Sequence, residues 1–146
     1  MQILVLEDRQ EIMVKLYEFL SGQHTIYQCY STDEATDVLK KVAKSGTSID
    51  CYIFDLAMES DGLQSAEQKN ESVQGYFTGW VWIKYNVLLK NESLSQKCVI
   101  YSAYLDSFKQ AMDQTADEKY IERMLTLNKS DLGWREKLQK RLNTLK

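Results

Sequence analysis

The decapeptide Ile49-Asp50-Cys51-Tyr52-Ile53-Phe54-Asp55-Leu56-Ala57-Met58 decides how this chain is read. Its apolar run, Cys51 to Phe54, stops abruptly at a carboxylate. Four apolar residues in a row, bounded by polar ones, read as a strand buried on both faces. The strand delivers Asp55 to the rim of a sheet. What Asp55 does there depends on what other strands bring to the same rim.

The same pattern recurs on either side. Ile3 to Leu6 is a strand that stops at Glu7-Asp8. Thr25 to Tyr30, rich in β-branched and aromatic residues, is a second strand. Lys97 to Tyr101 is a fourth, ending at Ser102-Ala103. Arg123 to Leu127 is a fifth, ending at Asn128-Lys129. Helical spacing fills the intervals. Ile12, Leu16, Phe19 and Leu20 form one apolar stripe, closed near Gly22. Ala35, Val38, Leu39 and Val42 form another, behind a cap at Ser31 or Thr32 and ahead of the breaker Ser45-Gly46-Thr47. Tyr76 to Leu89 is dense in aromatic and aliphatic residues and reads as a buried helix. Asp106 to Gln114 is a weak helix. A last amphipathic helix is expected behind Ser130 or Asp131, with Leu132, Trp134, Leu138, Leu142 and Leu145 as its apolar face. Asp61 to Gln74 is polar and nearly devoid of large apolar residues. It reads as a long mobile loop or a loosely packed helix, inserted at about residues 59–75 after the third strand. Proline is absent, so turns rest on Gly, Asn, Asp and Ser.

Five strand–helix repeats imply an α/β fold: a single doubly wound (βα)5 domain, residues 1–146, with a parallel five-stranded sheet of order 2-1-3-4-5 and helices on both faces. Chemistry in such a sheet sits at the carboxyl ends of the strands, where strand order reverses. For this order the reversal lies between the first and third strands. The rim then collects Glu7, Asp8, Asp55, Ser102 and Lys129. Crowded carboxylates raise one another's pKa values, and a divalent cation relieves the repulsion. Oxygen ligands without His or Cys favour Mg²⁺ or Mn²⁺. Asp55 is then placed to attack a phosphoryl donor as a carboxylate nucleophile. Lys129 and the metal would neutralise the phosphoryl oxygens, and Ser102 would donate a hydrogen bond to one. Taken singly, each of these residues has a plainer reading as a helix-capping acid, a turn serine or a solvated lysine. It is the set, at successive strand ends, that points to a site.

Composition narrows the classes of function. Hydrophobic residues make up 44% of the 146 and charged ones 27%, as in ordinary globular proteins. The net charge of −3 offers no overall basic footprint for nucleic acid, and direct nucleic-acid binding is not expected. The basic last helix, with Arg135, Lys137, Lys140, Arg141 and Lys146, reads as a solvated face. No apolar run approaches the roughly 20 residues of a membrane span, and the N-terminus lacks the pattern of a signal peptide, so a cytoplasmic location is expected. Cys29, Cys51 and Cys98 lie in or beside apolar strand-like runs and read as reduced core residues. The lone His24 reads as a loop residue.

The chain resembles the receiver domains of two-component response regulators. The matching residues are Leu4-Val5-Leu6-Glu7-Asp8, Phe54-Asp55-Leu56-Ala57-Met58, Ile100-Tyr101-Ser102-Ala103 and Leu127-Asn128-Lys129. The resemblance implies that Glu7, Asp8 and Asp55 hold Mg²⁺ together with the backbone carbonyl of Ala57. It implies that Asp55 is the phosphoacceptor, that Ser102 and Lys129 contact the phosphoryl group, and that the small Ala103 leaves room for it. The implied partners are a sensor histidine kinase or a histidine phosphotransfer protein, and a downstream protein; homodimerisation is left open. Such a protein promotes its own phosphorylation and is not a turnover enzyme. Three departures stand out. Glu59 replaces a frequent proline after Met58. Ser130 replaces the proline that usually follows the lysine, so a trans bond is expected there. Thr126 occupies the position of the family's switch aromatic, for which Tyr101 or Tyr104 would have to substitute. Thr126 and Ser130 favour the other reading, a receiver-like interaction module that works without phosphorylation. A dehalogenase-type hydrolase would want an acid two residues after Asp55, where Ala57 stands. The insertion reads either as a lid or docking loop, or as a tolerated surface extension.

Overall fold

The computed structural model describes residues 1–146. In chain order the elements are β1 (Gln2–Leu6), α1 (Gln10–Leu20), β2 (Thr25–Cys29), α2 (Thr32–Lys44) and β3 (Cys51–Phe54). There follow α3 (Ala66–Glu71), α4 (Thr78–Ile83), β4 (Cys98–Ser102), α5 (Leu105–Met112), α6 (Glu118–Ile121), β5 (Leu125–Asn128) and α7 (Trp134–Leu145). A π-helical turn, Lys84–Leu88, extends α4, and a short 3₁₀ segment, Glu92–Lys97, leads into β4. The five strands are all parallel and lie in the order β2-β1-β3-β4-β5. The doubly wound sheet expected from the strand–helix alternation is therefore the one observed.

Alternation along the central strands makes two cores. Leu4, Leu6, Tyr52, Phe54, Cys98 and Ile100 face one layer, where they meet α2, α4, α5 and α6. Ile3, Val5, Cys51, Ile53, Val99 and Tyr101 face the other, against α1 and α7. A strand with both faces covered has no room for polar side chains. This is why β3 reads as an unbroken apolar run and why the first acid, Asp55, comes only where the strand leaves the layers.

Several boundaries differ from the sequence-based expectation. The 76–89 helix begins at Thr78 and changes to π-helical winding at Lys84. Strand β4 starts at Cys98 and includes Ser102, while β5 starts at Leu125 and not at Arg123. The α5 helix runs Leu105–Met112, and the four-residue α6, absent from the sequence reading, fills the rest of that crossover. The last helix starts at Trp134, later than a cap at Ser130 or Asp131 would place it. Asp131 spends its carboxylate on the Gly133 N–H, at 2.8 Å, in a turn before the helix. Leu132, assigned to the apolar face, consequently lies in that turn and is 96% exposed.

The 59–75 insertion is anchored at its base, and of the two readings, loop or loosely packed helix, its middle takes the second. The Met58 N–H donates to the Gly75 carbonyl at 3.0 Å, which closes the loop at its base. Its middle carries α3, capped by the Ser65 hydroxyl on the Gln68 N–H. Lys84 reaches Glu71 at 3.3 Å and Asp117 at 2.9 Å, tying the insertion to the π turn and to the segment before α6.

The three cysteines are free and buried, and burial pushes each thiol well above its ordinary pKa. The thiolate is the reactive form. Iodoacetamide at pH 8 is therefore expected to leave the folded protein unmodified and to add three carbamidomethyl groups after denaturation, read by intact mass. Rapid modification of the folded chain would contradict this packing.

Candidate functional site

The rim at the carboxyl ends of the strands is held by the sheet itself. The ladder runs one residue past the strands: the Glu7 N–H donates to the Cys29 carbonyl at 2.9 Å, and the Asp55 N–H donates to the Leu6 carbonyl at 3.0 Å. The Lys129 N–H donates to the Ser102 carbonyl at 3.2 Å. Each backbone is thus fixed by its neighbouring strand, and the side chains project from rigid elements.

Four of the expected residues meet there. Carboxylate oxygens of Glu7, Asp8 and Asp55 lie within 4.8 Å of one another. Glu7 is 1% exposed and Asp55 5%, while Asp8 faces solvent. The Lys129 ammonium enters from β5. It donates to Asp55 Oδ2 at 2.7 Å and lies 2.6 Å from Glu7 Oε1, an ion contact off the hydrogen-bonding directions of that oxygen. Asp55 Oδ1 accepts from the Leu56 N–H at 2.7 Å, and Glu7 Oε2 accepts from the Arg9 N–H at 3.1 Å.

Charge at the rim is unbalanced: one ammonium faces two buried carboxylates and a third at the surface. Burial, with the Asp55 charge beside it, pushes the Glu7 carboxyl up to about 7. Burial also works against the Lys129 ammonium, but its hydrogen bond to Asp55 and its ion contact with Glu7 outweigh that and hold its pKa above the ordinary lysine value. Glu7 Oε1 is buried and meets no polar group besides the Lys129 ammonium. A buried carboxylate oxygen with unspent acceptor capacity, next to two more acids, fits a hard divalent cation.

Ser102, the fifth residue, is fully buried at the end of β4, opposite Asn128 of β5. Its hydroxyl oxygen accepts from the Tyr104 N–H at 3.1 Å, which leaves its own hydrogen free to donate. Ala57 lies half-buried in the turn after Asp55, and Ala103 is exposed. Sequence reasoning missed Gly79. In the first turn of α4, its N–H donates to the Leu56 carbonyl at 3.0 Å, and its Cα backs directly onto the Asp55 carbonyl. A glycine inside a run otherwise filled by Trp, Val and Ile was the available signal.

No family model matches this sequence, and no curated protein matches it either. Solved structures do. A response regulator receiver domain from Clostridium thermocellum aligns with a TM-score of 0.61 over 99% of this chain and 92% of that one, at 18% identity. A two-component response regulator from Cytophaga hutchinsonii gives 0.60 over 99% and 95%, at 16% identity. The fold is the receiver fold. The Vibrio cholerae chemotaxis protein CheY4 aligns likewise, with a TM-score of 0.58 over 99% and 98%, at 15% identity.

Within the receiver fold, the departures noted in the sequence take physical form. All peptide bonds are trans, Lys129–Ser130 included. Thr126 is half-buried on β5 and lines a hollow of about 520 Å³ with Met112, Ile121 and Met124. Of the two tyrosines considered as substitutes for the switch aromatic, Tyr101 is buried in the core against Trp134. Only Tyr104 lies at the surface, its ring edge-on to Tyr76 at the end of the insertion, 5.4 Å between centroids. No helix is long and apolar enough to cross a membrane.

Proposed function

We propose that Asp55 accepts a phosphoryl group from a phosphohistidine. The observation that carries this reading is the Asp55 carboxylate at the end of β3, bonded to the Lys129 ammonium and crowded by Glu7 and Asp8. In the step, an Asp55 oxygen attacks phosphorus, the P–N bond breaks, its electron pair returns to the imidazole, and an acyl phosphate forms. Lys129, kept as an ammonium by its two acidic neighbours, offsets charge on the phosphoryl oxygens. The free Ser102 hydrogen donates to one of those oxygens. A divalent cation, Mg²⁺ or Mn²⁺, held by Glu7, Asp8, Asp55 and the Ala57 carbonyl, supplies further neutralisation when bound. A hollow of about 280 Å³, walled by Asp8, Tyr30, Ser31, Met58 and Glu59, borders the acidic cluster on the Asp8 side.

On this reading the partners are a sensor histidine kinase or a histidine phosphotransfer protein and a downstream protein, in the cytoplasm. The chain promotes its own modification and does not turn over. The test is intact mass after incubation with Mg²⁺ and either acetyl phosphate or a phosphohistidine donor. One phosphoryl adduct is expected, absent in Asp55→Asn and labile in base. An adduct that survives Asp55→Asn would sink the assignment. So would the absence of an adduct with both donors, which would leave a module that works without phosphorylation.

A further inference from the structure

The opposite end of the sheet carries a second concentration of charge, of the other sign. Lys97 stands just before β4, Arg123 just before β5, and Arg141 in the second half of α7. Together they wall a hollow of about 660 Å³. A second hollow, of about 250 Å³, shares Arg141 and Thr144 with the first and adds Lys137 and Lys140. No carboxylate lines either one, and in a chain of net charge −3 this is a sharply local excess of cations. Lys97, Arg123, Lys140 and Arg141 form no ion pair, whereas Lys137 is held by Asp131 at 2.5 Å.

Arg141 is the built part of this surface. Its Nη1 donates to the Gln96 carbonyl at 3.1 Å and to the Arg123 carbonyl at 3.2 Å. Those bonds fix the guanidinium plane and leave the Nε and Nη2 hydrogens unspent. A guanidinium oriented in advance loses little entropy when it grips a phosphate with two parallel bonds. The Thr144 hydroxyl donates to the Arg141 carbonyl at 2.6 Å, covering an acceptor near the end of α7 that would repel an incoming anion.

We propose that this end of the molecule binds a compact phosphate polyanion, one with two or more linked phosphates. Several cations around one hollow suit more than a single phosphate, and the volume is that of a small-ligand site. No aromatic ring lines either hollow, so there is no platform on which nucleic-acid bases would stack. The site is independent of the Asp55 reading.

Inorganic pyrophosphate is the probe, added to the full chain in metal-free buffer and followed by amide chemical shifts. Saturable shifts are expected at Lys97, Arg123, Arg141 and Thr144, weakening with added salt, while the amides of Glu7 and Asp55 stay in place. The variant Lys97→Gln/Arg123→Gln removes two cations that make no ion pair and is expected to bind about tenfold more weakly with unchanged folding. Arg141→Gln is the poorer variant, since it also strips two carbonyl partners. Three results would each overturn the proposal: unsaturable shifts, equal affinity in the double variant, or orthophosphate binding as tightly as pyrophosphate. Duplex DNA that shifts the same amides at lower concentration than pyrophosphate would also overturn it, in favour of a nucleic-acid surface.

Discussion

Gly79→Ala is expected to destabilise the protein by about 3 kcal/mol or more, lowering the melting temperature of a chain this size by about 10 °C. A methyl group built on Gly79 would lie 1.7 Å from the Asp55 carbonyl oxygen and 2.9 Å from its carbon. Both partners are backbone, so no rotamer change relieves the overlap. Either the first turn of α4 retreats from the sheet, or the chain at Asp55 moves. The first course breaks the bond from the Gly79 N–H to the Leu56 carbonyl and opens the core beneath Trp80 and Phe54. The second displaces the residue on which the site is built. Opposing this is the helix propensity that alanine gains over glycine, about 1 kcal/mol, too small to offset the loss. Gly22→Ala is the control. Its added methyl meets nothing within 4 Å, and a change within about 0.5 kcal/mol is expected. Thermal unfolding of the two variants checks both. A Gly79→Ala protein as stable as the parent would mean that α4 does not approach Asp55 as closely as described.

That contact also marks how far the sequence could be read. The strands were legible because each is a short apolar run halted by a polar residue, and the halting residues Glu7, Asp8, Asp55, Ser102 and Lys129 are the rim. The apolar run and the acid after it have one cause: a layer that admits no charge, and an edge that does. The stripes of α1 and α2 were legible for the same reason. What escaped reading lacks any such contrast. The α3 helix has no buried residue, so its sequence shows no period, which is why the segment reads as a loop or a loosely packed helix and not as one of the two. The α6 helix is too short to carry one. Leu132 fitted the apolar spacing of α7, but Asp131 bonded to the following turn instead of capping the helix, and the leucine was left in solvent. Gly79 depends on the distance between two backbones, a quantity no local pattern encodes. The likeness to solved receiver domains, at 18% identity or less among the three compared, bears on the fold alone. The chemistry at Asp55 rests on this chain's own rim.

Glu7→Gln is expected to raise stability at pH 8, and to do so only above the acidic range. Glu7 is one of two buried carboxylates that share a single ammonium, and its folded-state pKa is about 7 against an ordinary 4.5. A carboxyl whose pKa is raised on folding favours the folded state below 4.5 and loses that advantage as pH climbs through 7. At pH 8 the folded protein must hold the ionised form, which costs about 3 kcal/mol at most. Glutamine keeps the shape and removes the charge, leaving Lys129 and Asp55 as a neutral pair. Breaking a buried ion pair ordinarily destabilises, but here the group removed is the surplus one. Melting curves from pH 4 to 8 should show the parent falling behind the variant, by about 5 °C at the upper end. Mg²⁺ at pH 8 should then stabilise the parent, as any ligand of the folded state does. It should stabilise Glu7→Gln less, because one of the three anionic donors is gone. A variant that melts below the parent at pH 8, or a gap that ignores pH, would show that Glu7 is no surplus charge and that the rim does not await a cation.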